Sequence, residues 1–274
     1  MLVPKPSFKD HQLFIHSILD KPIVDAQFKN QGAYNSTLEH VTKDQGTDIL
    51  KYIETNFPQV TFEDIRAFIQ VNDKYGGTMK SIFTTNKMKL LYCSPTTLRY
   101  ILHALLILKY YNETMCKNIV ELGQGYGGLF LAINAFLCKF PDVTIRKYIM
   151  VDMPNSSSLT RKYLEANNSI ITIPYEIYDS VTMPPVIPTT TEAQSPNESF
   201  FISNYCFTIL EKNDMDKYSE YLIKPCTHGC MVWQTCFGDS IDDADKILGK
   251  NTIRKVEEEP QTGPQTAKNY VVYF

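Results

Sequence analysis

Apolar positions fall at helical spacing before they fall into strands. Ile49, Leu50, Ile53 and Phe57 recur along one helix face, with Thr47 or Asp48 as the cap and Pro58 just past the end. Thr61-Phe-Glu-Asp64 has the form of a capping box, and Ile65, Phe68 and Ile69 behind it give a second helix its inner face. Asn72 to Gly77 is a turn by composition. A longer helix opens at Ser94-Pro95, with Leu98, Ile101, Leu102, Leu105, Leu106 and Leu108 spread widely enough to be buried against a sheet. Before Gln45 no pattern stands out.

From residue 118 the chain alternates short apolar runs with helical stretches. The runs Ile119 to Leu122, Tyr148 to Val151, Ser169 to Tyr178, Phe200 to Phe207 and Gly229 to Thr235 predict five strands, the third at an edge because Pro174 interrupts it. Leu129 to Ile133, Ser156 to Leu164 and Asp214 to Ile223 are helical. Thr252 to Glu257 and Asn269 to Phe274 predict a closing antiparallel pair, joined by the polar stretch Glu258 to Lys268. Pro184, Pro185, Pro188 and Pro196 mark 181–199 as a long loop. The expected fold is α/β, a doubly wound Rossmann-like sheet, with residues 1–90 a helical cap and 91–274 the main domain.

Composition narrows the partners. Of 274 residues 43% are hydrophobic and 21% charged, ordinary for a globular protein, and the net charge of −3 argues against a nucleic-acid partner held by a broad basic surface. No apolar run reaches the roughly 20 residues that span a bilayer, and Met1 to Pro6 lacks the form of a secretory leader. The cytoplasm is therefore the expected location, with no membrane partner. Seven cysteines scattered through apolar segments read as reduced thiols. Cys226, His228, Cys230 and Cys236 lack the second close pair of a zinc site, so no metal is expected.

The candidate chemistry centres on Gly123, Gly125 and Gly128, spaced as G-x-G-x-x-G between a predicted strand and a predicted helix, which lets backbone approach a ligand. Asp152 ends the next strand, near the offset of about 20 residues at which an acid takes a ribose diol. Glu121, inside the first strand, is an acid where dinucleotide sites keep an apolar residue, and it is suited to a ligand's ammonium. The N-terminus of the helix at Ser94 suits a carboxylate, and Arg99 and His103 share a face of that helix. No P-loop sequence occurs. With the antiparallel end of the sheet, these features select S-adenosylmethionine.

The chain resembles the class I S-adenosylmethionine-dependent methyltransferases, and among them the sugar O-methyltransferases, over roughly residues 73–274. The resemblance rests on Ser94-Pro-Thr-Thr-Leu-Arg99, Val120-Glu-Leu-Gly-Gln-Gly-Tyr-Gly-Gly128, Tyr148-Ile-Met-Val-Asp-Met-Pro154, Ser203-Asn-Tyr-Cys-Phe207 and Glu258-Glu-Pro260. It implies the strand order 3-2-1-4-5-7-6 with the last strand antiparallel. It also implies that Gly123 and Gly125 border the methionine moiety, that Asp152 borders the ribose, and that Asp179 borders the adenine edge; Met153, next to Asp152, is a further cofactor-binding candidate. Where the family has a Ser-Glu-Leu-like tripeptide, this chain has Thr208-Ile-Leu210, with Glu211 one residue beyond.

Catalytic groups of such sheets lie past the C-terminal strand ends. Asn204 and Tyr205 are therefore expected to position the acceptor, with Glu211 or His103 as base, while His228 falls at the opposite edge. The expected acceptor is a sugar hydroxyl on a small molecule or glycan. The competing readings are a methyltransferase-like binding module without catalysis, or an enzyme acting on nucleic acid or protein.

Overall fold

The computed structural model describes residues 8–30, 38–181, 199–250, 254–264 and 267–274. The loop expected over 181–199 lies outside them between 182 and 198. Helix α1 (Phe8–Ile18) comes first, followed by α2 (Lys43–Asn56), α3 (Phe62–Asn72), a hairpin of β1 (Ser81–Thr84) and β2 (Leu90–Cys93), and α4 (Pro95–Tyr111). The alternating part runs β3 (Asn118–Leu122), α5 (Gly128–Phe136), β4 (Lys147–Asp152), α6 (Pro154–Ala166), β5 (Tyr175–Asp179), β6 (Ser199–Asn204), α7 (Lys212–Tyr218) and β7 (His228–Gln234). It closes with α8 (Ala244–Leu248), β8 (Arg254–Glu257) and β9 (Asn269–Tyr273).

Seven strands form one sheet in the order β5-β4-β3-β6-β7-β9-β8. Counted from β3, this is the expected 3-2-1-4-5-7-6. The strands β3 to β7 pair in parallel, and β9 runs antiparallel between β7 and β8. The period-2 pleat divides the core. Ile119, Tyr148, Met150, Phe200 and Ile202 face α4, α5 and α6 in one apolar layer, and Val120, Leu122, Ile149, Val151 and Phe201 face α7 and α8 in the other. Ile15, Ile49, Leu50, Ile53, Ile65 and Phe68 of the N-terminal helices join the first layer. No helix among the described residues is long and apolar enough to cross a membrane.

Several boundaries differ from the sequence reading. Helix α2 starts earlier, because Thr42 and Gln45 make a reciprocal capping box (3.2 and 2.9 Å) while Thr47 bonds back to the Lys43 carbonyl. The box at Thr61 and Asp64 is present as expected. β5 begins only at Tyr175, since Pro174 has no N–H to give the ladder. β6 stops at Asn204, because Tyr205 turns the backbone to φ +59°. Helix α1 and the β1–β2 hairpin were not singled out in the sequence reading.

Candidate functional site

A cavity of about 360 Å³ opens past the C-terminal ends of β3, β4, β5 and β6. That volume lies within the roughly 300–1,000 Å³ of small-molecule sites. Its floor is the turn after β3. Gly123 and Gly125 take φ +82° and +61°, and a Cβ on Gly123 would stand 2.4 Å from the Cys206 side chain. Only glycine fits there. Leu38 closes over Gly125 from the N-terminal segment, its Cδ1 3.1 Å from where a Cβ would be.

Asp152, the last residue of β4, stands in the wall. Its Oδ2 accepts the Gly125 N–H (2.9 Å) and its Oδ1 accepts the Met153 N–H (2.7 Å). Burial pushes its pKa up to about 6, while these two bonds and the nearby Ser156 hydroxyl pull the other way. The carboxylate can still accept a hydrogen bond from a ligand hydroxyl. Met153 and Ser180 line the cavity beside it.

The facing wall is Asn204, Tyr205 and Cys206 with Ile209 and Leu210, continued by Asp214, Lys217 and Tyr218 on α7. Tyr205 is held on every side. Its ring lies 4.6 Å from the Arg99 guanidinium and stacks on His103 at 5.4 Å, and its hydroxyl donates to Glu258. A positive φ at a bulky residue costs on the order of 1–3 kcal/mol and persists only where surroundings fix it. The neighbouring Asn204 amide bonds His103 Nδ1 at 3.0 Å. One assignment satisfies this network: Asn204 donates to Nδ1, the Nε2–H faces Tyr205 and Glu258, and Tyr205 donates to the Glu258 carboxylate. Burial lowers the pKa of His103, consistent with a neutral ring.

Six of the residues singled out from sequence line the cavity: Gly123, Gly125, Asp152, Met153, Asn204 and Tyr205. The others stand elsewhere. Glu121 is buried on the α4–α6 side of β3, accepting the Tyr148 hydroxyl at 2.9 Å, and is outside the cavity. Gly128 starts α5, where a Cβ would meet the Tyr126 ring at 2.8 Å. Asp179 accepts the Val181 N–H, leaving its neighbour Ser180 to reach the cavity. Glu211 is exposed at the start of α7, where it makes no side-chain cap. His103 is buried behind Tyr205 instead of lying at the surface.

Ser94 and Arg99 act one step removed. The carboxylate at the N-terminus of α4 is Asp73, which takes the Ser94 N–H at 2.8 Å, while Ser94 Oγ donates to Glu39. Arg99 donates to the Leu38 carbonyl (2.8 Å) and contacts His40 (3.1 Å), fixing the segment that brings Leu38 to the cavity. The sequence reading missed Phe8 and His11 of α1, which also line the cavity. The spacing of Phe8, His11, Ile15 and Ile18 along one face is the signal that would have found them. Among the described residues no group of three His, Cys, Asp or Glu side chains is arranged to hold a metal.

No known family profile matches the sequence, and no curated protein matches it. Solved structures with a related fold include the N-terminal domain of human METTL16 in complex with SAH, at 15% identity over 84% of this chain and 95% of that one, TM-score 0.42. The O-methyltransferase TomG of Streptomyces achromogenes, in complex with SAM, is similar at 10% identity over 85% and 98%, TM-score 0.43. Magnesium protoporphyrin IX methyltransferase from Synechocystis, with bound SAM, is similar at 10% identity over 85% and 97%, TM-score 0.41. Likenesses this distant carry no inference about ligand or acceptor.

Proposed function

We propose that the protein transfers a methyl group from S-adenosylmethionine to a hydroxyl acceptor. The observation that carries this reading is Asp152, anchored to the Gly125 backbone at the mouth of a cavity floored by two side-chain-free glycines. The residues fit the cofactor: Asp152 would take the ribose diol, Gly123 and Gly125 would border the amino-acid end, and Met153 and Leu38 offer apolar contact. The resemblance of the sequence to sugar O-methyltransferases makes a sugar the acceptor class to test first.

The cofactor, when bound, supplies a methyl group already activated on a sulfonium. The chain's own work is alignment and exclusion of water. Leu38, Ile209 and Leu210 close the apolar part of the wall, and Asn204 and Tyr205 line the space beside them that is left for an acceptor. His103 keeps both in place and does not itself reach the cavity.

Titration calorimetry with S-adenosylmethionine tests the cofactor. Binding is expected, weakening as pH falls through about 6, where Asp152 takes a proton, and falling at least about tenfold in Asp152→Ala, on the scale of lost hydrogen bonds to a charged group. No binding, or binding indifferent to Asp152, sinks the reading. A methyl-transfer assay over nucleotide sugars and glycans tests the acceptor. Cofactor binding without turnover on any of them would favour a binding module, since neither His103 nor Glu211 lines the cavity as a base.

A further inference from the structure

Helix α1 has no role in the reading above, yet it lies over the cavity. Phe8 and His11, one turn apart, form part of the lining. The next residue, Gln12, reaches across to α6. Its Oε1 accepts the Asn155 N–H (3.0 Å), its Nε2 donates to Ser156 Oγ (2.9 Å), and its own carbonyl accepts from the Asn155 side chain (2.9 Å). The cap residue of α6, Met153, has no side chain able to cap, and Pro154 follows it. A side chain from α1 therefore does the capping of α6. Further along α6, Lys162 donates to the carbonyls of Leu19 and Lys21 just past the end of α1. The helix is pinned to the element that follows Asp152 both at Gln12 and just past its C-terminal end.

Gln12 and Asp152 flank the same turn. Asp152 ends β4, its Oδ1 accepts the Met153 N–H (2.7 Å), and the helix that Gln12 caps starts at the next residue, Pro154. The contacts that hold α1 on α6 therefore also hold the segment that carries Asp152 and Met153 into the cavity wall, where Phe8 and His11 complete the lining.

We propose that α1 is part of the cofactor site: Phe8 and His11 contact the bound nucleoside, and Gln12 is the positioning residue that holds α1 against the start of α6, beside Asp152. This inference rests on the S-adenosylmethionine reading. Gln12 is half-buried on a helix and alanine keeps the helix, so Gln12→Ala is expected to fold, with thermal melting as the control.

Calorimetry with S-adenosylhomocysteine, which needs no acceptor, is the test. Gln12→Ala and Phe8→Ala are each expected to weaken binding roughly 5- to 10-fold, the scale of one or two ordinary hydrogen bonds or a lost apolar contact. Gln12→Ala and Ser156→Ala together are expected to lose less than the sum of the two, because both remove the same Gln12–Ser156 hydrogen bond. Hydrogen exchange over residues 8–18 is expected to slow on adding the ligand. Wild-type protein that binds no ligand removes the cofactor reading and this inference with it. Wild-type binding that is equal in Gln12→Ala and Phe8→Ala, with exchange of α1 unchanged, overturns the inference alone. Strictly additive losses in the double variant overturn the role given to the Gln12–Ser156 hydrogen bond.

Discussion

Glu121 shows what a single residue can and cannot announce. As an acid inside an apolar strand it marks β3 as unusual, and a ligand's ammonium is a natural partner for it. The pleat decides otherwise. Successive residues of a strand point to opposite faces, so the alternation that brings Leu122 to the cavity turns Glu121 to the other side, against Tyr148. Burial there raises its pKa to about 8, with the Tyr148 hydrogen bond pulling the other way. Between the ordinary carboxylate value of 4.5 and 8 the unfolded chain releases this proton and the fold keeps it. Stability therefore falls as pH rises through that window. Glu121→Gln copies the neutral form, still accepts from Tyr148, and removes that slope. It is expected to raise stability at pH 8 by on the order of 1–3 kcal/mol while changing little at pH 4. Urea unfolding at the two pH values measures this. A loss that is larger at pH 8 than at pH 4 would mean that the acid serves the fold in its charged form.

Elements were legible from sequence where a local rule decides them. The box at Thr61 and Asp64 and the Ser94-Pro95 start of α4 both rest on side chains within a few residues of each other, and both are present. Elements escaped where the deciding partner is distant. Helix α1 owes its place to Gln12 on Asn155 and Ser156, and the β1–β2 hairpin packs its buried Phe83 against α2. Gly46 belongs to the second kind. Glycine inside a helix is ordinarily a weakness of about 1 kcal/mol relative to alanine. In α2 a Cβ at this position would meet the Phe83 ring at 2.8 Å and Pro95 Cβ at 3.1 Å. Gly46→Ala is thus expected to destabilise, by roughly 1–3 kcal/mol of overpacking less the propensity gained. A melting temperature above that of the wild type would show that the hairpin gives way cheaply.

At the scale of the molecule, the site is assembled from both ends of the chain around a glycine turn in its middle. The turn and Asp152 were readable because their spacing follows from one strand–turn–helix unit. Glu258 was visible only as part of a motif, and its work depends on β9 lying between β7 and β8. That topology carries the residue after β8 back over the end of β6. There Glu258 accepts from the Tyr205 hydroxyl, from the N–H (2.9 Å) and side chain of Thr262, and from the Asn269 amide (2.9 Å). Burial alone would raise its pKa, but hydrogen bonds from His103, Tyr205 and Thr262 outweigh it and hold it below the usual carboxylate range. A carboxylate depressed in this way stabilises the fold above its ordinary value of 4.5 and loses that contribution as pH falls towards 2. Glu258→Gln keeps the shape but turns an N–H towards donors, so it is expected to cost roughly 1–3 kcal/mol at pH 7. The gap to the wild type should narrow as pH falls below 4.5, because the wild type is then losing the same charge. Thermal unfolding of both proteins at pH 7 and pH 3 reads this directly. Ligand affinity separates the two walls of the cavity. Asp152 is anchored to Gly125 and Met153, not to this network, so S-adenosylhomocysteine should bind Glu258→Gln as it binds the wild type. A gap that stays constant with pH would mean that Glu258 holds Tyr205 by shape and not by charge.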